Sequence, residues 1–309
     1  MDNTLKILII GLFASLFFSS TFILNKYIAI EQGHWFWSAS LRYIYMIIIL
    51  VFGFYFFKGK VYLKELGKEF IENYTFWIFT GSIGFGIFYA PICYVADKSP
   101  AWVVASTWQF TIIASLFVLS FFGKKISKRT WIFVILLFIG ITLINIDELN
   151  YDEMQTQLFA IFLIIVASFA YPIGNQRVWE LSNNKDLEIS RKKIIDNSFS
   201  KLFLLSLGSF PFWILLSFLF DIGVPSTSQF VSIFFVALFS GIIATTLFLL
   251  ARKKANSPSK LALADSTQSS EVIFTLLIEV LFLGALIPSL IGLIGIGVVL
   301  VSLAMLALV

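Results

Sequence analysis

The residues best placed to do chemistry lie between 265 and 279, in D-S-T-Q-S-S-E-V-I-F-T-L-L-I-E. On a helix turning 100° per residue, Asp265, Gln268, Glu271, Thr275 and Glu279 fall within about 120° of one another. The surrounding segment is apolar enough to cross a membrane. A carboxylate facing lipid is costly, so this stripe must face protein or a wet cavity. Glu271 stands about eleven residues into the segment, near mid-membrane at ~1.5 Å per residue. Desolvation penalises a lone charge at that depth. Such a group can hold a proton or a cationic substrate but not both comfortably, which is the simplest way to couple proton entry to cation exit. The alternative for Glu271 is a structural carboxyl, protonated or paired with Arg42. Asp265 and Glu279 lie nearer the two ends of the segment and read as interfacial or structural groups.

Other polar residues lie within the apolar blocks, Arg42 near the outer side. Arg42 either caps carbonyls, pairs with a carboxylate, or binds an anionic group on a substrate. Trp108 offers a ring face to a cation or flat molecule, and Gln109 beside it can hydrogen-bond; ordinary packing is the competing reading. G-F-G-I-F-Y-A-P (84–91, with Tyr89) and A-Y-P-I-G-N (170–175, with Tyr171 and Asn175) combine Gly and Pro as kinked helices with close neighbours do. Broken helices expose carbonyls to a cavity and mark transporter sites. Lys26 and Asn25 close the first apolar block and read as groups reaching for the surface. Enzyme signatures are scarce: one histidine (His34), one cysteine (Cys93), no His/Cys metal cluster, no G-x-S-x-G and no Walker-type loop. No catalytic residue, metal or cofactor is expected.

The elements that must position these residues follow from composition. The chain of 309 residues is 59% hydrophobic and only 13% charged, against roughly 25% for a soluble domain. Its apolar residues come in blocks of about twenty, the length that crosses a ~30 Å hydrocarbon core. The pattern predicts an all-α polytopic membrane protein, one membrane domain over 1–309, with spans near 5–27, 35–57, 76–96, 101–122, 131–146, 158–176, 202–220, 230–251, 261–283 and 287–308. With the N-terminus inside, of 22 Lys and Arg only Lys26, Arg42 and Lys98 fall outside the cytoplasmic side. The outer loop 147–157 carries Asp147, Glu148, Asp152 and Glu153 and no basic residue. The positive-inside rule therefore supports ten spans with both termini cytoplasmic in the cell (inner or plasma) membrane. The net charge of +4 sits in short loops and does not argue for a nucleic-acid partner.

The two halves resemble each other. T-G-S-I-G-F-G-I-F-Y-A (80–90) parallels S-G-I-I-A-T-T-L-F-L-L (240–250), Ser99-Pro100 parallels Ser257-Pro258, and F-I-G-I-T-L-I (138–144) parallels G-I-G-V-V-L-V (295–301). Five spans per copy is odd, so the second copy enters the membrane inverted. A 5+5 inverted repeat, 1–150 and 151–309, is the architecture of secondary transporters, with the substrate site near the midplane between the halves.

These features bring a family into view. F-F-S-S-T-F-I-L-N-K (17–26), W-S-A-S-L-R-Y (37–43), G-F-G-I-F-Y-A-P (84–91), S-T-W-Q-F-T (106–111), A-Y-P-I-G-N (170–175) and T-Q-S-S-E-V (267–272) resemble the drug/metabolite transporter superfamily, and within it the ten-span putative multidrug resistance efflux transporters. The resemblance covers essentially the whole chain and implies a central cavity lined by spans 1, 3, 4, 6, 8 and 9. The chain departs from the small four-span multidrug exporters, which use a glutamate in their first span for both proton and drug. Spans 1 and 6 hold no acid here, so that role passes to Glu271 on chemistry alone.

The expectation is a proton-coupled exporter of small amphipathic, cationic organic compounds, working by alternating access as monomer or homodimer. In it Glu271 couples proton to substrate, while Arg42, Tyr89, Trp108, Gln109, Tyr171, Asn175 and Gln268 shape the cavity. The alternative cargo is an amino acid or related metabolite, with Arg42 contacting its carboxylate. A membrane enzyme ranks below both, for want of an interfacial reactive cluster.

Overall fold

The computed structural model describes residues 3–123, 126–184, 186–254, 264 and 267–306. All regular elements among them are helices. Eight are long and apolar enough to cross a membrane: α1 Thr4–Ile30, α2 Trp35–Glu72, α3 Tyr74–Asp97, α4 Ala101–Phe121, α5 Lys128–Asp147, α6 Tyr151–Ser182, α7 Ser198–Leu219 and α8 Thr227–Arg252. Two shorter apolar helices follow, α9 Ser270–Leu283 and α10 Leu290–Leu306. They fall in the expected spans 261–283 and 287–308, parts of which lie outside the described residues. Large apolar side chains such as Phe52, Phe57, Phe121, Phe218 and Phe282 are exposed on the outer faces, as lipid-facing groups are.

The expected span 35–57 ends at a real break. Gly59 takes φ 82° and ψ 170°, a conformation that glycine adopts without a Cβ penalty. Beyond it the helix continues to Glu72 as a polar arm that packs on the short helix Ile189–Ile195 and on α7. Two contacts fix the arm. The Glu69 carboxylate accepts from Arg191 (2.8 and 3.1 Å) and from the Trp77 indole (3.1 Å), and Tyr62 and Ser200 share a hydroxyl bond of 2.7 Å.

At the other end of α2, His34 Nδ1 accepts the Phe36 N–H at 3.2 Å and caps the helix. Partial burial holds the His34 imidazole below its ordinary pKa, against the nearby Asp221, so the accepting lone pair is kept.

Small residues let the backbones meet. A Cβ on Gly84 of α3 would stand 3.1 Å from the Gly174 Cα of α6, and one on Gly140 of α5 would stand 3.0 Å from the Gly295 carbonyl of α10. α1 packs on α8 and α9, α6 on α3 and α4, α3 on α7, α2 on α8, and α5 on α10. Both α3 and α8 contain a π-helical stretch, Ser82–Ile87 and Ala237–Ala244, and Pro91 and Pro172 lie within α3 and α6. Such irregular turns shift which side chains point inward and free carbonyls locally.

Candidate substrate cavity

The helices enclose a cavity of about 530 Å³, within the range of small-molecule sites. One wall is aromatic. Phe88 of α3 lies 4.9 Å from Trp108 of α4 and 4.9 Å from Tyr171 of α6, and Trp108 and Tyr171 are 5.7 Å apart, ring centre to ring centre. Three tilted rings from three helices present both edges and faces, suited to an apolar ring or a basic nitrogen. Asn175, one helical turn from Tyr171, adds an amide to the same wall.

Glu271 lies in the first turn of α9 and faces this cavity together with Gln268. It is buried, and its carboxylate makes no hydrogen bond among the described residues. Thr275 donates to the Glu271 backbone carbonyl (2.7 Å) and leaves the side chain untouched. Glu279 is engaged quite differently. Its two oxygens accept the Ala101 and Trp102 N–H groups at 2.7 and 2.9 Å, which satisfies the start of α4 just after Ser99-Pro100. Lys26, expected to reach the surface, instead donates to the Ser99 carbonyl at 3.0 Å. Asp265 lies outside the described residues.

Arg42 closes the cavity where α1, α2, α3 and α8 converge. Its guanidinium donates to Ser240 Oγ (3.0 Å) and Thr21 Oγ1 (3.3 Å), and these two hydroxyls are themselves bonded at 2.5 Å. Its central carbon lies 4.3 Å over the Tyr89 ring, and Tyr89 is steadied by Asn25 Nδ2 at 3.0 Å. No carboxylate stands within 4.0 Å of it among the described residues, so the pairing with Glu271 weighed from the sequence is not made here. Next to it Tyr43 is sandwiched between Phe85 (5.0 Å) and Trp213 (5.7 Å) and donates to the Phe85 carbonyl at 3.0 Å.

The structure thus brings Arg42, Trp108, Tyr171, Asn175, Gln268 and Glu271 onto one wall. Two others lie off that wall. Tyr89 is fully buried behind Arg42, and Gln109 is buried with its amide on the Ala105 carbonyl at 3.3 Å. The reason is helical geometry: neighbours on a helix point about 100° apart, so Phe88 and Trp108 take the wall and the next residue turns away. The wall also includes α2 and α7, beyond the six spans that the resemblance implies, through Tyr43, Met46, Lys201 and Leu205. Thr21 and Ser240 were not singled out from the sequence; their signal was a hydroxyl at span depth, Thr21 following Ser19 and Ser20, and Ser240 inside the repeated 240–250 motif.

The cavity has a direction. Gln229 near the start of α8 bonds His34 and Ser38 at the start of α2, so Arg252 marks the far end of α8. The wall runs from Arg42 and Ser240 to Ser182, Lys201 and Arg252, beside the basic loops.

A bundle of apolar helices around an amphipathic, partly charged cavity defines a multi-pass membrane transporter. The chain belongs to the EmrE family, the putative multidrug resistance efflux transporters of the drug/metabolite transporter superfamily, whose model matches residues 5–309. Among curated proteins it is similar to the Bacillus subtilis (strain 168) "Uncharacterized protein YjlA", with 34% identity covering 96% of this chain and 92% of the relative. A Shouchella clausii "Uncharacterized 42.1 kDa protein in intracellular alkaline protease 3'region" is 33% identical, covering 86% of this chain and 70% of the relative. Membership in a transporter family implies a small-molecule substrate and a bilayer environment.

Proposed function

We propose that the chain is a secondary exporter of small amphipathic organic compounds, working by alternating access and exchanging each cargo for a proton at Glu271. The observation that carries this reading is the Glu271 carboxyl itself: buried, on the cavity wall, with no hydrogen bond among the described residues. A proton can satisfy it in one state and a basic nitrogen in the next, while Phe88, Trp108 and Tyr171 cover the organic part.

The architecture behind the proposal is ten spans in a 5+5 inverted repeat in the cell membrane, both termini cytoplasmic. The packing pairs support it. Exchanging the halves (α1 for α6, α2 for α7, α3 for α8, α4 for α9, α5 for α10) turns the α1–α9 contact into α6–α4 and α1–α8 into α6–α3. The same exchange turns α3–α7 into α8–α2 and leaves α5–α10 paired with itself. The π-helical stretches of α3 and α8 are exchanged as well. In this orientation the basic loops are cytoplasmic, and the cavity wall runs from the Tyr43 stack toward the cytosolic side. One chain supplies both halves, so a monomer suffices.

Proteoliposomes with an imposed proton gradient test the proposal. A quaternary ammonium probe is expected to accumulate against its gradient, and Glu271→Gln is expected to abolish the proton-driven part. Accumulation that is unchanged in Glu271→Gln would remove Glu271 from the coupling.

A further inference from the structure

Arg42 is a buried cation whose hydrogen-bond partners among the described residues are all neutral, with the Glu271 carboxyl in electrostatic range but beyond 4.0 Å. Thr21, Ser240 and Tyr89 orient it, and no carboxylate lies within ion-pair reach among the described residues. A buried charge without a partner is expensive, and a cavity-facing one can be matched by whatever enters the cavity. A guanidinium has five N–H donors in a planar fork. Two are taken by the hydroxyls, and Nε is buried without a hydrogen-bond partner. One N–H on each terminal nitrogen therefore remains on a group whose plane is already fixed by Tyr89 beneath it.

The rest of the wall points the same way. Lys201 and Arg252 line the end of the cavity beside the basic loops, and among the described residues Glu271 is the one acidic side chain on a wall with three basic ones. An acidic group on the cargo is favoured at that end over a second basic one.

We propose that Arg42 is the subsite for an acidic group, so that the cargo is an amphipathic zwitterion: a carboxylate on Arg42, a basic nitrogen at Glu271, and an apolar or ring portion against Phe88, Trp108 and Tyr171. The incoming carboxylate takes the free N–H groups of the fork in a two-point, charge-assisted contact. This assignment rests on the transporter reading above and names its substrate class.

Matched pairs of probes test it: phenethylamine against phenylalanine, and tryptamine against tryptophan, each assayed for uptake and mutual competition in proteoliposomes of the full chain. In the wild type the acid-bearing member is expected to compete about tenfold more strongly than its amine. Arg42→Gln is expected to erase that preference, weakening the acid-bearing probes about tenfold and the amines less than twofold. Arg42→Lys, which keeps the charge without the fork, is expected to restore part of it and guards against a folding defect. The assignment is overturned if the acid confers no advantage in the wild type, or if Arg42→Gln weakens both members equally. If the amines move and the acid-bearing probes do not, Arg42 alone loses its role. If the wild type moves none of them, the transporter reading fails as well.

Discussion

Glu271 and Glu279 share one face of α9, yet their surroundings give them different work. Glu279 holds two backbone N–H groups at the start of α4, donors that no helical carbonyl can satisfy. Glu271 holds nothing among the described residues and faces the cavity. Replacing Glu279 by alanine is therefore expected to cost about 2 kcal/mol, because it leaves two buried donors unpaired. Glu271→Gln is nearly isosteric and is expected to leave stability close to wild type while removing proton exchange. Unfolding midpoints of the two variants in detergent check the contrast, and equal losses would contradict it. Residue types and spacing made the polar stripe legible, and depth along the span set Glu271 apart. The partners of Glu279 were not legible, since Ala101 and Trp102 are remote in sequence and meet it only through folding. Tyr89 and Gln109 show the same limit. An aromatic or amide at span depth can be read as cavity-forming, but whether it or its neighbour faces inward depends on a rotation that packing decides.

Among the elements, α3 and α6 carry the shape of the cavity. Gly84 and Gly174 let the two backbones touch, which brings Phe88 and Tyr171 within ring contact. A leucine at Gly174 has to push the Gly84 backbone away, since its Cβ alone would stand 2.6 Å from the Gly84 Cα. Gly174→Leu is expected to lose about 1–3 kcal/mol and transport with it. Gly297→Leu in α10, where nothing lies within 4 Å, is expected to be silent. Unfolding and transport assays on the pair decide this, and a silent Gly174→Leu would refute the role given to the contact. Gly and Pro in 84–91 and 170–175 announced these irregular helices. The extension of α2 past Gly59 was hidden, because a polar stretch with three lysines reads as a loop. Its helix depends on Glu69 meeting Arg191 and Trp77, a clamp visible only in three dimensions.

For the whole molecule, composition and charge made the membrane class legible, and the family match over 5–309 agrees with it. The cavity's direction needed the fold, because it depends on which helix ends gather beside Ser182, Lys201 and Arg252. Export by exchange requires one group to hand a proton over when cargo binds, and Glu271 is the acid on the wall among the described residues. The most direct measurement is the number of protons released when phenethylamine binds the purified protein in weakly buffered detergent solution. Release approaching one proton per bound molecule in the wild type, and none in Glu271→Gln, is the predicted result. Equal release from both proteins, or binding with no release from either, would contradict it.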